Sequence, residues 1–280
     1  MGRLPLEKIV AAVDDLPALP HVVVQVMKLT EDPNSTAQDI NNVLSQDQAM
    51  TARVLKLANS AFYGFPRRIG TVTDATVLLG FKTIKSIVMA ASVSDILAGK
   101  MEGYALEHGE LWRHSQCAAM AARHIARKVK FMQLDLAYTG ALLHDIGKVI
   151  LNNAMKDSYH DVVDLVMERN IPFLDAELEI LGYSHADVGA KVAEKWNLPS
   201  DLVEAIAFHH EPVGATANKK LTAIVHLADA LCIMMGIGIG VDGLLYPISQ
   251  ETMDMFGLDE LAIEGIVAEL IDVFADQQSF

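Results

Sequence analysis

The chain has 280 residues, 51% of them hydrophobic and 21% charged, with a mean hydropathy of +0.27; this excludes a disordered, collagen-like or low-complexity protein. The net charge of −14 is unevenly spread, with 10 Lys+Arg against 9 Asp+Glu in residues 1–100 and 12 against 27 in residues 101–280. So acidic a second part argues against a nucleic-acid partner, and an anionic ligand there needs positive charge from elsewhere, for which a metal ion is the obvious source.

Residues 1–10 mix charge and proline with apolar residues and lack the apolar core of a secretory signal. Pro20 then opens a helix over 20–29, in the first-turn position that proline tolerates. Ser35 with Gln38 three residues later resembles a capping box and starts a helix to about residue 44. Asp47 caps a helix over 48–58 that puts Met50, Val54, Leu57 and Ala58 on one face. Residues 59–66 break the pattern with Gly64 and Pro66. Their Phe62, Tyr63 and Phe65 read either as a lid or contact surface or as packing between lobes. Helices follow at about 73–79, closed by Gly80, and at 81–97.

Beyond Gly99, helices are predicted at about 104–128, 133–150, 157–169, 174–181, 186–196, 200–210, 218–235 and 258–275, with Pro172, Pro199 and Pro212 at their edges. No alternating strand, Gly-rich phosphate loop or internal repeat is present. The apolar stretch 230–241 is too short and glycine-rich to span a bilayer. Cys117 and Cys232 lack C-x-x-C spacing and imply neither a thiol site nor a disulfide framework. The expectation is a soluble, cytoplasmic, all-α protein in two helical lobes, 1–100 and 101–280, with no membrane partner. The first lobe's Leu16, Leu19, Val22, Val26, Leu55 and Leu57 form apolar faces that need a cover, which the second lobe, a second protomer or another protein would supply.

Of 10 histidines, only His21 lies in the first hundred residues; the rest fall within 108–226, several beside carboxylates. Glu110 and His114 stand at i and i+4 on one helix face, a spacing that also suits an exposed polar pair. His144 and Asp145 are adjacent after the apolar run Ala141-Leu142-Leu143. Neighbouring helical side chains diverge by about 100°, so both reach one centre only over the edge between them. Lys148 is one turn beyond His144. His185 follows Tyr183-Ser184 at a helix start. His209-His210 closes a helix, as a ligand pair or as a polar helix end. Asp229 sits among apolar neighbours three residues after His226, whose role stays open. Imidazoles and carboxylates from several helices of one bundle are how Zn, Fe or Mn sites are built. Burying so many ionisable groups without a metal would be costly.

Leu142-Leu143-His144-Asp145-Ile146-Gly147-Lys148 resembles the signature of the HD superfamily, all-α metal-dependent phosphohydrolases. The chain as a whole is similar to the HDOD (HD-related output domain) branch, through Leu16-Pro17-Ala18-Leu19-Pro20, Asn59-Ser60-Ala61-Phe62-Tyr63-Gly64, Leu79-Gly80, Leu111-Trp112-Arg113-His114-Ser115, Glu179-Ile180-Leu181-Gly182, His185-Ala186-Asp187-Val188-Gly189-Ala190, Trp196-Asn197-Leu198-Pro199 and His209-His210. The resemblance implies an HD-type bundle in the second lobe and a role in bacterial signal transduction, with another signalling protein or a second copy as partner. Beside the related HD-GYP phosphodiesterases it implies a transition-metal centre of one to three ions, iron before manganese, nickel or zinc. Glu110, His114, His144, Asp145, His185, His209, His210 and Asp229 look like the ligands, Asp145 also a catalytic group and Lys148 a phosphate contact. A phosphorylated small molecule is then the expected ligand, and a metal-dependent phosphohydrolase the alternative to a regulatory module. Residues 211–216 lack the DGxGYP segment, so cyclic di-GMP specificity does not carry over.

Overall fold

The computed structural model describes residues 13, 18–65, 67–238, 240 and 246–275; Leu16, Pro17, Pro66, Val241 and residues 1–10 lie outside them. Among the described residues every regular element is a helix, apart from one isolated bridge between Met101 and Leu106. The chain divides into two compact units, Ala18–Asp95 with 269–275, and Ile96–Ala268 with Val13. The division falls at residue 95 rather than 100. It also assigns Val13, whose carbonyl accepts from Lys195 Nζ at 2.7 Å, to the larger unit.

The smaller unit contains α1 (His21–Glu31), α2 (Ala37–Leu44), α3 (Gln48–Ala58), α4 (Val72–Leu79) and most of α5 (Phe81–Leu97). Its core takes Val22, Val23 and Val26 from α1, Ile40 and Leu44 from α2, and Met50 and Val54 from α3. The capping box before α2 is Thr36 with Asp39, not Ser35 with Gln38: Thr36 Oγ1 accepts from Asp39 N, and Asp39 Oδ2 accepts from Thr36 N at 2.8 Å. Asp47 caps α3 as its position predicts, accepting from Met50 N at 2.9 Å. The Asn59 amide closes the following loop by pairing with both backbone groups of Ile69.

The larger unit begins with a 3-10 turn, Glu102–Tyr104, followed by α6 (Glu110–Lys128), α7 (Leu134–Leu143), α8 (Gly147–Arg169), α9 (Phe173–Leu181), α10 (His185–Lys195), α11 (Ser200–Ala207), α12 (Lys219–Met234), α13 (Gln250–Phe256) and the start of α14 (Glu260–Ala275). Helix α12 is buried from Leu221 through Cys232 and packs on α6, α7 and α11. A helix apolar on every side belongs in a core, so Asp229 on it is inside the protein.

Among the differences from the sequence expectation, α13 lies where no helix was expected, α11 stops at Ala207 rather than near 210, and three further boundaries differ, two of which shape the site. The helix expected over 133–150 is two helices, turning at His144–Ile146 although His144 and Ile146 keep helical dihedrals. Periodicity misses the turn because apolar residues continue on both sides of it. The turn is tied to Gly147, where a Cβ would overlap the His185 carbonyl oxygen and lie 2.6 Å from Gly189 N. Conversely, the break expected before residue 157 is absent, and α8 runs unbroken to Arg169. Helix α6 begins at Glu110, not near 104, because Ala105 and Gly109 have φ of 56° and 83°, outside the helical range.

Candidate metal centre

Five elements of the larger unit converge on one buried cluster. His114 comes from α6, His144 and Asp145 from the α7–α8 turn, His185 from the start of α10, His209 and His210 from the residues after α11, and Asp229 from α12. Six of these seven are at most 2% exposed, and His210 is half-buried.

Local structure aims the rings. At the end of α7, His144 Nδ1 donates to the Ala141 carbonyl at 2.6 Å; past α11, His209 Nδ1 donates to the Ile206 carbonyl at 2.7 Å. Both acceptors are last-turn carbonyls that the helix itself leaves unpaired. His114 Nδ1 donates to the Ile237 carbonyl at 2.9 Å, and His185 Nδ1 to Glu177 Oε2 at 2.8 Å. A Ser184–Asp187 capping box sets the start of α10 and with it the position of His185. Each of the four rings is thus held by Nδ1, leaving Nε2 for the interior.

Those Nε2 atoms meet the carboxylates. Asp229 Oδ1 is 3.0 Å from His114 Nε2 and 3.5 Å from His144 Nε2. Asp145 faces two ways: Oδ2 is 3.2 Å from His144 Nε2 and 3.7 Å from His114 Nε2, while Oδ1 is 3.5 Å from His185 Nε2 and 3.9 Å from His209 Nε2. His210 Nε2 lies 2.8 Å from His185 Nε2. Three overlapping groups bring their donor atoms within 4.8 Å of one another: His114, His144 and Asp229; His144, Asp145 and His209; and His185, His209 and His210. Lys148 Nζ donates to Asp145 Oδ2 at 2.6 Å and lies 5.7 Å from the centre of the Tyr104 ring.

The electrostatics suit a cation. Burial opposes a charged His144, but Asp145 and Asp229 outweigh it and hold its pKa up at about 10. Burial likewise opposes an ionised Asp145 and Asp229, yet their cationic neighbours keep both well below the usual carboxylate range. His209 and His210 are pushed well below the ordinary histidine value, by burial first and then by neighbouring imidazoles, which leaves them neutral. His209 Nε2 is buried without a hydrogen-bond partner among the described residues. A lone pair so placed is normally satisfied by something the protein binds. Converging imidazole and carboxylate donors around that atom can bind a metal ion.

Glu110 is not brought into the cluster. It is the first residue of α6, and its Oε2 accepts from Glu107 N at 2.6 Å. His226, left open by the sequence, donates from Nδ1 to the His209 carbonyl at 2.7 Å and accepts from Ser249 N at Nε2, and so holds the His209 backbone from behind. Tyr246 joins it there, with its ring 4.8 Å from that of His210. Two participants escaped the sequence reading. Glu177 is fully buried on α9, and Tyr104 donates to its Oε1 at 2.6 Å. The available signal was a carboxylate one turn from both Phe173 and Leu181 on the buried face of α9. Cys117 and Cys232 are buried thiols, the first pushed up to about 11 by its burial.

Fold and site define a class: an all-α protein with a buried histidine–carboxylate cluster, gathered from several helices, that can bind metal. Within that class the chain belongs to the HDOD family, whose domain model matches residues 16–212. A solved HDOD domain protein of unknown function from Geobacter sulfurreducens is 29% identical, with a TM-score of 0.77 over 98% of this chain and 96% of that one. A candidate phosphohydrolase from Shewanella amazonensis SB2B is 25% identical, with a TM-score of 0.72 over 96% and 95%. An uncharacterized protein of Treponema pallidum (strain Nichols) is 28% identical over 221 residues, which are 78% of this chain. The chain spans 42% of the length of that curated relative.

Proposed function

We propose that this chain is a signal-transduction output module of the bacterial cytoplasm that works through a transition-metal centre and responds to a phosphorylated small molecule. One observation carries the reading: the two oxygens of Asp145 face different sets of imidazoles. On this reading His114, His144 and Asp229 would hold one metal and His185, His209 and His210 a second, with Asp145 a ligand available to both. Imidazole with carboxylate suits iron, manganese or zinc, and iron is the metal that the likeness to HD-GYP centres favours. Bound metal supplies Lewis acidity and an acidified water. Lys148 orients Asp145 and is the adjacent cation for phosphate oxygens. Half-buried His210 is the most exposed of the seven donors and marks the side from which a ligand would approach. A second copy or another signalling protein receives the output.

Lys148 also favours a second reading, metal-dependent hydrolysis of a phosphoester. The test is elemental analysis of the full chain purified anaerobically, followed by a phosphatase and phosphodiesterase panel. About two transition-metal ions per chain are expected, and Asp145→Ala should lose most of them. A wild type that carries no metal and cannot be reconstituted overturns the proposal. Cyclic di-GMP should be hydrolysed slowly or not at all, since residues 211–216 lack the DGxGYP segment. Robust turnover that disappears in His144→Ala would establish the hydrolase instead.

A further inference from the structure

We propose that Glu177 is the positioning residue of the His185, His209 and His210 metal position, an inference that rests on the metal-centre reading above. The asymmetry lies in how the four inward rings are held. His144 and His209 follow helix ends, where a carbonyl three residues back is unpaired and accepts the Nδ1 proton. His114 uses the Ile237 carbonyl. His185 stands at the first position of α10, and the unpaired backbone groups of a helix start are N–H donors, not acceptors. Its Nδ1 proton needs a side chain, and Glu177 provides one.

Both oxygens of Glu177 are engaged. Oε2 accepts from His185 Nδ1 at 2.8 Å and from His185 N at 2.9 Å, and Oε1 accepts from the Tyr104 hydroxyl at 2.6 Å. Tyr104 is itself fixed, because the preceding Gly103 lies so close to α8 that a Cβ would fall 2.8 Å from Met155 Cβ. The carboxylate therefore cannot turn away. It sets the Nδ1–H tautomer of His185 and leaves the Nε2 lone pair towards His210 and Asp145. A carboxylate behind a ligating imidazole also strengthens it as a donor, and loss of such a partner typically lowers metal affinity 10- to 100-fold. His114, His144 and Asp229 make no hydrogen bond to Glu177, so the effect belongs to one metal position.

The test uses the full chain titrated with manganese(II) against a competing chelator, together with imidazole nitrogen NMR before metal is added. In Glu177→Gln we expect a wild-type circular dichroism spectrum and one metal position weakened about 10- to 100-fold, the other unchanged. The His185 nitrogen resonances should move from a single Nδ1–H form towards a tautomer mixture, which a purely structural role for Glu177 would not produce. Tyr104→Phe, which loosens the same carboxylate, should weaken the same position less; it carries the test if Glu177→Gln does not fold. A wild type with two metal positions and variants that match it in affinity and resonances overturns this inference alone. A wild type that takes up no metal overturns the metal reading and this inference with it.

Discussion

Glu110 and His114 lie one helical turn apart, yet their side chains go to different places. His114 is anchored by Ile237 and aimed at Asp229, whereas Glu110 accepts from the Glu107 backbone at the start of α6. Glu110→Gln is therefore expected to leave metal content unchanged while Asp145→Ala strips it; elemental analysis of the pair decides. The protonation of His144 gives a second expectation. Its pKa of about 10 lies above the ordinary histidine value of roughly 6.5. A raised value stabilises the fold fully below the unfolded pKa, and the gain is lost as pH rises through the folded one. Chelator-stripped protein should thus show a falling Tm between about pH 6.5 and 10. Metal has to displace that proton, so affinity should rise with pH over the same window. A flat Tm profile for the stripped protein across that window would refute the assignment.

At the scale of elements, the site depends on how closely α8 approaches α10. Gly147 and Gly189 let the two backbones touch, and that contact brings Asp145 to His185. Gly147→Ala forces a Cβ against the His185 backbone; overpacking of this kind costs about 1–3 kcal/mol. Urea unfolding should show that loss, and the metal content should fall with it because Asp145 and His185 are pushed apart. Stability equal to wild type would mean that the two helices can separate cheaply. Neither glycine's role was legible in sequence, where Gly147 sits between Ile146 and Lys148 inside one expected helix and Gly189 inside another. Periodicity reports which face a residue occupies, not how near the next helix comes.

Considered whole, the chain keeps all seven clustered donors within the unit Ile96–Ala268 and none in Ala18–Asp95. A fragment of residues 96–280, which lacks Val13 of the same unit but keeps all seven donors, should accordingly take up as much metal as the full chain. A soluble fragment that has lost it would show that the first ninety-five residues support the centre. Among the described residues no helix is long and apolar enough to cross a membrane, consistent with the short apolar stretch at 230–241. The family was legible through its motifs, Leu142 to Lys148 among them, whereas the all-α class and the seven residues that cluster were legible for a different reason. Helix periodicity, proline placement and charged residues inside apolar runs, such as His144-Asp145 and Asp229, are properties of neighbouring residues. Only tertiary structure could split the helix at His144–Ile146, put Glu177 behind His185 and give Asp145 two faces. Each of these depends on which groups of different helices are brought together, and residue order alone does not encode that meeting.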